Sequence, residues 1–239
     1  MLTVKYLKTE EVLADMDSGE DTRESDILLE NHVDDLRQKL IQLPAGGDAQ
    51  DRAVLLLELG RSLVRLNQMQ DAWDAGKEAF ETYIQREAWE GAIQALEIMF
   101  LSDQPDSLPA LGQAIWLAVT YPVDPELTVA MLQHVVDETP PDSDGAAVAA
   151  AAAHYVADLR MPEGKERENL IFYTNQMLVT VARRHSDVQD QESFSRWFKR
   201  LELDDPAKFL VRLRNVVDVL VQQNWWFDRD ALKAKLPVQ

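Results

Sequence analysis

Apolar residues recur at helical spacing along most of the chain, separated by short polar or proline-containing breaks. From Ser25 onward the apolar positions follow the period of an amphipathic helix, which ends at the break Pro44-Ala45-Gly46-Gly47. The same periodicity predicts further helices over residues 51–66, 70–85, 87–101, 108–121, 126–138, 144–161, 165–185, 191–203 and 206–224, with a short last helix capped by Asp228. No segment alternates Val, Ile and Thr between hairpin turns. The pattern therefore predicts an all-α protein, built either from antiparallel helical hairpins stacked as a short α-solenoid or as an irregular helical bundle.

The first residues of the chain differ from this pattern. Leu2, Val4 and Tyr6 alternate as in a short strand or a docking arm, and residues 17–26 are polar and strongly charged. Such a composition predicts a weakly ordered stretch. We therefore divide the chain into an acidic, flexible segment over 1–24, helical hairpins over 25–161, and C-terminal helices over 162–239 that pack on or cap the hairpins. Residues 25–239 could equally form one continuous domain.

The stretch ELGRSLVRLNQMQDAWDAGKEAF, residues 58–80, carries a more specific pattern. Leu56, Leu59-Gly60 and Leu63 lie on one predicted helix, and the small residues Ala72 and Ala79 lie on the next. This arrangement resembles the tetratricopeptide repeat, a two-helix unit of about 34 residues. Gly76 departs from it, because the family commonly has a large aromatic residue there. The following helix pairs keep roughly the repeat length without its signature, so the resemblance covers one clear repeat and two degenerate ones.

The resemblance implies a binding scaffold, because the first helix of each such repeat lines a concave groove. Carried over to this chain, the groove positions are Val54, Leu57, Arg61, Val64 and Arg65. The two arginines are four residues apart on one helix face, where they could bind the carboxylate of a peptide tail or an acidic side chain. Alternatively, they pair with Glu58 or with the acidic N-terminal segment.

Charge restricts the classes of partner. The 239-residue chain has a formal net charge of −18, no Cys, and 11 acidic residues against the single Arg23 between Glu10 and Asp35. A polyanionic protein repels phosphate backbones and anionic lipid surfaces, so we expect neither nucleic acid nor a membrane as a partner. The N-terminus has no apolar run typical of a signal peptide, which favours a cytoplasmic location. The sequence leaves a homo-oligomer open.

Candidate catalytic chemistry is sparse. His154 and Asp158 are four residues apart on a predicted helix, a spacing that can serve a metal, but no HExxH or ExxH motif accompanies them. Phosphate-loop, dinucleotide-binding and GxSxG motifs are also missing from the sequence. We therefore predict no catalytic residue, no metal and no cofactor, and expect that the protein is not an enzyme.

Three aromatic residues near the C-terminus, Trp225-Trp226-Phe227, have two interpretations. They could close the last hydrophobic layer of a solenoid, as a terminal cap does, or they could form an exposed hydrophobic anchor for a partner.

Three classes of function remain compatible with the sequence. The helical pattern favours a non-catalytic scaffold or adaptor that binds a protein or peptide partner through a helical groove. The charge would also suit an acidic regulatory or inhibitory protein that mimics nucleic acid or blocks a basic surface. An enzyme whose site is assembled from dispersed residues is the third class.

Overall fold

The predicted all-α class is confirmed. The computed structural model describes residues 19–44 and 46–236, with side chains from residue 25, and these residues contain helices and turns without a strand. In chain order the helices are α1 (Gly19–Gln42), α2 (Ala49–Arg65), α3 (Met69–Gln85), α4 (Trp89–Leu101), α5 (Ser107–Thr120), α6 (Pro125–Glu138), α7 (Asp144–Arg160), α8 (Lys165–Ser186), α9 (Gln191–Arg200), α10 (Pro206–Val221) and α11 (Arg229–Lys233).

The helices from α2 to α8 stack mainly on their neighbours in sequence order, and α4 also contacts α2. This arrangement is compatible with a helical repeat. Two glycines allow the close approach of the first hairpin to α4. A Cβ at Gly60 would lie 2.8 Å from Cγ2 of Ile98, and a Cβ at Gly76 would lie 3.1 Å from the Ala95 carbonyl oxygen. Gly76 therefore stands where a large side chain would hold α3 away from α4.

The alanine-rich helix α7 lies largely inside the protein. Its alanine-rich stretch from Ala146 to Ala153 is buried, and α7 packs against α6, α8 and α10. At its C-terminal end, the Arg160 guanidinium donates to the carbonyl oxygens of Ala118 and Val119 at 2.8 and 2.7 Å. These carbonyl oxygens belong to the last turn of α5, where a helix has no backbone N–H groups left to donate to them. The Arg160 guanidinium supplies the missing hydrogen bonds.

The N-terminal helix is longer than the sequence pattern predicts. The pattern places its start near Ser25, whereas α1 begins at Gly19, inside the stretch expected to be weakly ordered. Acidic residues are abundant there in the sequence, and negative charge near a helix N-terminus interacts favourably with the helix dipole. The alternating residues Leu2, Val4 and Tyr6 lie outside the described residues.

The C-terminal helices cover one side of the hairpins. Helix α10 packs against α5 and α7, and its end approaches α5 closely at Gly112. Among the described residues, no helix is both long and apolar enough to cross a membrane.

Candidate functional site

An open groove lies between α2, the end of α3 and the start of α4. Its volume is about 600 Å³. Its walls combine apolar side chains with polar groups, namely Gln50, Val54, Leu57, Glu58, Arg61, Tyr83, Ala88, Trp89, Glu90, Gly91 and Gln94. We call this site the α2–α4 groove.

Three of the five groove positions inferred from the tetratricopeptide resemblance line it. Val54 is 52% exposed, Leu57 is buried in the wall, and Arg61 is exposed. Val64 and Arg65 do not line the α2–α4 groove: Val64 packs against the core, whereas Arg65 is exposed. The structure thus separates two arginines that the sequence pattern treats alike.

Arg61 has a neutral partner in the groove. Its guanidinium donates to Oε1 of Gln94, and it forms no ion pair with any described residue. The neighbouring carboxylates have other partners. Glu58 lies 3.0 Å from Nε2 of His32, and Oε1 of Glu90 accepts a hydrogen bond from the backbone of Asp124 at 3.1 Å. Within the described residues, the predicted alternative of an Arg61–Glu58 pair is not formed.

Tyr83 forms part of the groove floor, and Gly91 makes room for it. A Cβ at position 91 would overlap the Tyr83 ring, so a larger residue would push the ring away from its place. Burial raises the pKa of the Tyr83 hydroxyl, with nearby Arg61 acting in the opposite direction. The phenol therefore keeps its proton near neutral pH and can donate a hydrogen bond to a ligand.

Trp89 forms the aromatic wall of the groove. Its ring stacks on Tyr121, with ring centroids 3.9 Å apart and an interplanar angle of 14°. The Tyr121 hydroxyl donates to the Leu232 carbonyl oxygen at 3.2 Å, which ties this wall to the C-terminal residues.

Sequence reasoning did not identify Tyr83, Trp89 or Gln94 as groove residues. The only signal for Gln94 was its position 34 residues after Gly60, one repeat length along the chain. Nothing in the local sequence marks Tyr83 and Trp89, because they belong to the end of one helix and the start of the next.

Polar contacts continue from the groove along the first helices of successive hairpins. Oε1 of Glu97 lies 3.2 Å from Nε2 of His134, and Oε1 of Gln133 accepts a hydrogen bond from the Tyr173 hydroxyl at 3.3 Å. Together with the Arg61–Gln94 hydrogen bond, these contacts connect α2 to α4, α4 to α6, and α6 to α8.

The aromatic triplet Trp225-Trp226-Phe227 is half-buried and lies back on earlier helices. Trp226 packs edge-on against Trp73 and Phe80 of α3, each with ring centroids 6.0 Å apart. Its backbone N–H donates to Oε1 of the buried Gln113 at 2.8 Å. Phe227 and Trp225 pack against Trp116 of α5. The triplet thus packs on α3 and α5, far from its own position in sequence.

Comparison of the chain with protein-family models, with curated proteins and with solved structures gave no match in any of the three. Within the described residues, no group of three or more His, Asp and Glu side chains is arranged to hold a metal ion.

Proposed function

We propose that the protein is a non-catalytic interaction scaffold that binds an extended segment of a partner protein in the α2–α4 groove. The observation that carries this proposal is Arg61, a cation with only a neutral partner among the described residues, set in a groove whose walls combine apolar and polar side chains. An extended peptide would place an apolar side chain against Val54 and Leu57, and a carboxylate beside the guanidinium.

Donor groups on the groove surface support an acceptor-rich ligand. Arg61 has further N–H groups beyond the one that Gln94 accepts, and the Tyr83 hydroxyl and the Gln94 amide are also donors. Backbone carbonyl oxygens and carboxylates of a peptide would satisfy these donors. Glu58 and Glu90 also line the groove, and each contacts another residue, so neither carboxylate occupies the Arg61 guanidinium.

We also propose that the hairpins are degenerate tetratricopeptide repeats. The interhelical contacts along the first helices join residues 33, 37 and 40 positions apart. The first separation is close to the repeat length of about 34 residues, and the later ones are longer. This drift accounts for the loss of the sequence signature beyond the first repeat.

The groove is tested by presenting the protein to a random library of short peptides and measuring the affinity of the enriched sequences. We expect enrichment of peptides with an acidic side chain or a free C-terminal carboxylate next to an aliphatic residue. Arg61→Glu should weaken their binding roughly 10-fold or more, because a favourable charged contact becomes repulsive.

Arg65→Glu is the matched control. It makes the same charge change one turn further along α2, outside the groove. Equal loss of binding in both variants would contradict the α2–α4 groove as the binding site. Enrichment of basic peptides, insensitive to Arg61→Glu, would instead favour an acidic protein that blocks basic surfaces.

A further inference from the structure

A second, smaller cavity lies between α7, α8, the end of α9, the start of α10 and the segment that joins them. Its volume is about 160 Å³. Three aromatic rings contribute to its lining: Tyr155, Phe198 and Phe209. Tyr155 and Phe209 meet edge to face, with centroids 5.7 Å apart, and the Phe209 side chain is buried. Aromatic side chains pack favourably edge to face or offset against another ring, so such walls suit an aromatic group.

His154 lines the cavity, and one tautomer of its ring presents an acceptor nitrogen there. The hydroxyl oxygen of Thr174 is buried and lies 3.0 Å from Nδ1 of His154 and 3.0 Å from the Leu170 carbonyl oxygen. When the hydroxyl donates to the carbonyl oxygen, it accepts a hydrogen bond from Nδ1. In that tautomer Nδ1 carries the proton, and Nε2 carries a lone pair. Among the described residues, Nε2 has no hydrogen-bond partner, and His154 lines the cavity.

Two carboxylates complete the lining. Asp158 already pairs with Arg167. Asp204 is exposed and forms no hydrogen bond or ion pair with any described residue, and its charge interacts with nearby Lys208, whose ammonium group pairs with Glu202. Asp204 therefore leaves negative charge at the cavity that the described residues do not neutralise by direct contact.

We propose that this cavity binds a small aromatic primary ammonium ion. The ring would lie among Tyr155, Phe198 and Phe209, while the ammonium group would donate to His154 Nε2 and to Asp204. A cavity of about 150 Å³ can hold one benzene ring, so the ligand is limited to about the size of benzylamine. This inference is independent of the α2–α4 groove, which lies on other helices.

The proposal is tested by titrating the full chain with benzylammonium, using calorimetry and the NMR signals of the His154 ring. Benzyl alcohol has the same ring and a donor but no charge, and benzoate carries the opposite charge. We expect benzylammonium to bind at least fivefold more tightly than benzyl alcohol, with benzoate not binding. Binding in the cavity should shift the His154 Nε2 resonance. Binding of the ammonium ion to a distant carboxylate would leave that resonance unchanged.

Two variants and a control locate the site. Asp204→Asn should weaken benzylammonium binding roughly two- to fivefold, as expected for loss of an exposed charge pair. His154→Phe should remove it, because the acceptor is lost and the cavity is filled. Asp142→Asn removes the same charge from an exposed loop residue that does not line the cavity, and it should change the affinity less than twofold.

Three outcomes would overturn the proposal. These are the absence of saturable binding up to about 10 mM benzylammonium, equal affinity for benzylammonium and benzyl alcohol, and equal weakening by Asp204→Asn and Asp142→Asn.

Discussion

The two sides of the helical hairpins differ in what covers them. On the side of α3, α5 and α7, the chain covers itself, because α10 packs on α5 and α7 and the aromatic triplet packs on α3 and α5. On the side of α2 and α4, the groove stays accessible and its donors have few partners within the described residues. The difference suggests a division of roles, in which one side stabilises the stack and the other is left for a partner.

The largest effect should come from removing an aromatic ring on the covered side. Trp116 is buried and contacts Tyr121, Trp225 and Phe227. We expect Trp116→Ala to lower the free energy of unfolding by about 3–5 kcal/mol, measured by chemical denaturation, because it leaves a large cavity. Trp89→Ala, on the open side, should cost clearly less. Equal losses in the two variants would contradict the division between the sides.

A smaller loss should follow from adding one methyl group where α10 meets α5. A Cβ at Gly112 would lie 2.6 Å from Cγ2 of Val221 and 2.9 Å from Cβ of Leu220. Because these atoms belong to the packed end of α10, the helix must shift, and we expect Gly112→Ala to lower the unfolding free energy by about 1–3 kcal/mol.

The control for this substitution is Gly145→Ala. Its Cβ would come within 3.2 Å of only one atom, the Ser143 side-chain oxygen, and would lie 3.7 Å from the nearest atom of α10, Cγ2 of Val216. Alanine is also favoured over glycine in a helix. A denaturation midpoint of Gly112→Ala at or above that of Gly145→Ala would show that α10 does not pack tightly on α5.

On the side of α2 and α4, removing a single hydroxyl group should weaken peptide binding and leave the free energy of unfolding nearly unchanged. Tyr83→Phe removes only the hydroxyl of a residue that lines the groove. We expect the affinity for a selected peptide to fall by about 0.5–1.5 kcal/mol, which is roughly 2- to 10-fold. Calorimetry would measure the binding, and a denaturation curve of the same sample would test stability. A large loss of stability with unchanged affinity would mean that Tyr83 serves the core.

Much of the fold could be predicted from the chain itself, because apolar periodicity and proline breaks are local signals. Gly60 shows the limit of such signals, since its place in the Leu59-Gly60 pattern marks the first repeat, whereas the atom that a Cβ there would meet first belongs to Ile98 of the next hairpin. The groove was only partly predictable. Arg61 and Arg65 share one face in the sequence pattern, and only the position of α4 distinguishes them.

The position of the aromatic triplet could not be derived from the sequence. Trp226 and Trp73 are far apart along the chain, and no local pattern records which helix face a distant segment will cover. The two positive-φ residues Gln222 and Gln223 end α10 and redirect the chain toward α3 and α5. Neither residue is a glycine, so the usual sequence signal for such a turn is missing.

The smallest expected effect is a pH dependence that comes from His154 on α7. Burial lowers the pKa of the imidazole, Asp158 opposes this shift, and Arg167 adds to it. Because the folded pKa lies below the ordinary value of about 6.5, the unfolded chain binds the proton more readily. The stabilising contribution is therefore complete above about pH 6.5 and is lost as the pH falls toward the folded pKa.

Denaturation midpoints measured between pH 7.5 and 5.5 would test this dependence. The wild-type midpoint should fall more steeply with decreasing pH than that of His154→Gln, which cannot gain the proton. The other three histidines are present in both proteins, so the difference between the two slopes isolates His154. Parallel slopes would mean that the imidazole can be protonated in the folded state without cost, and the small cavity beside it would then be open to water.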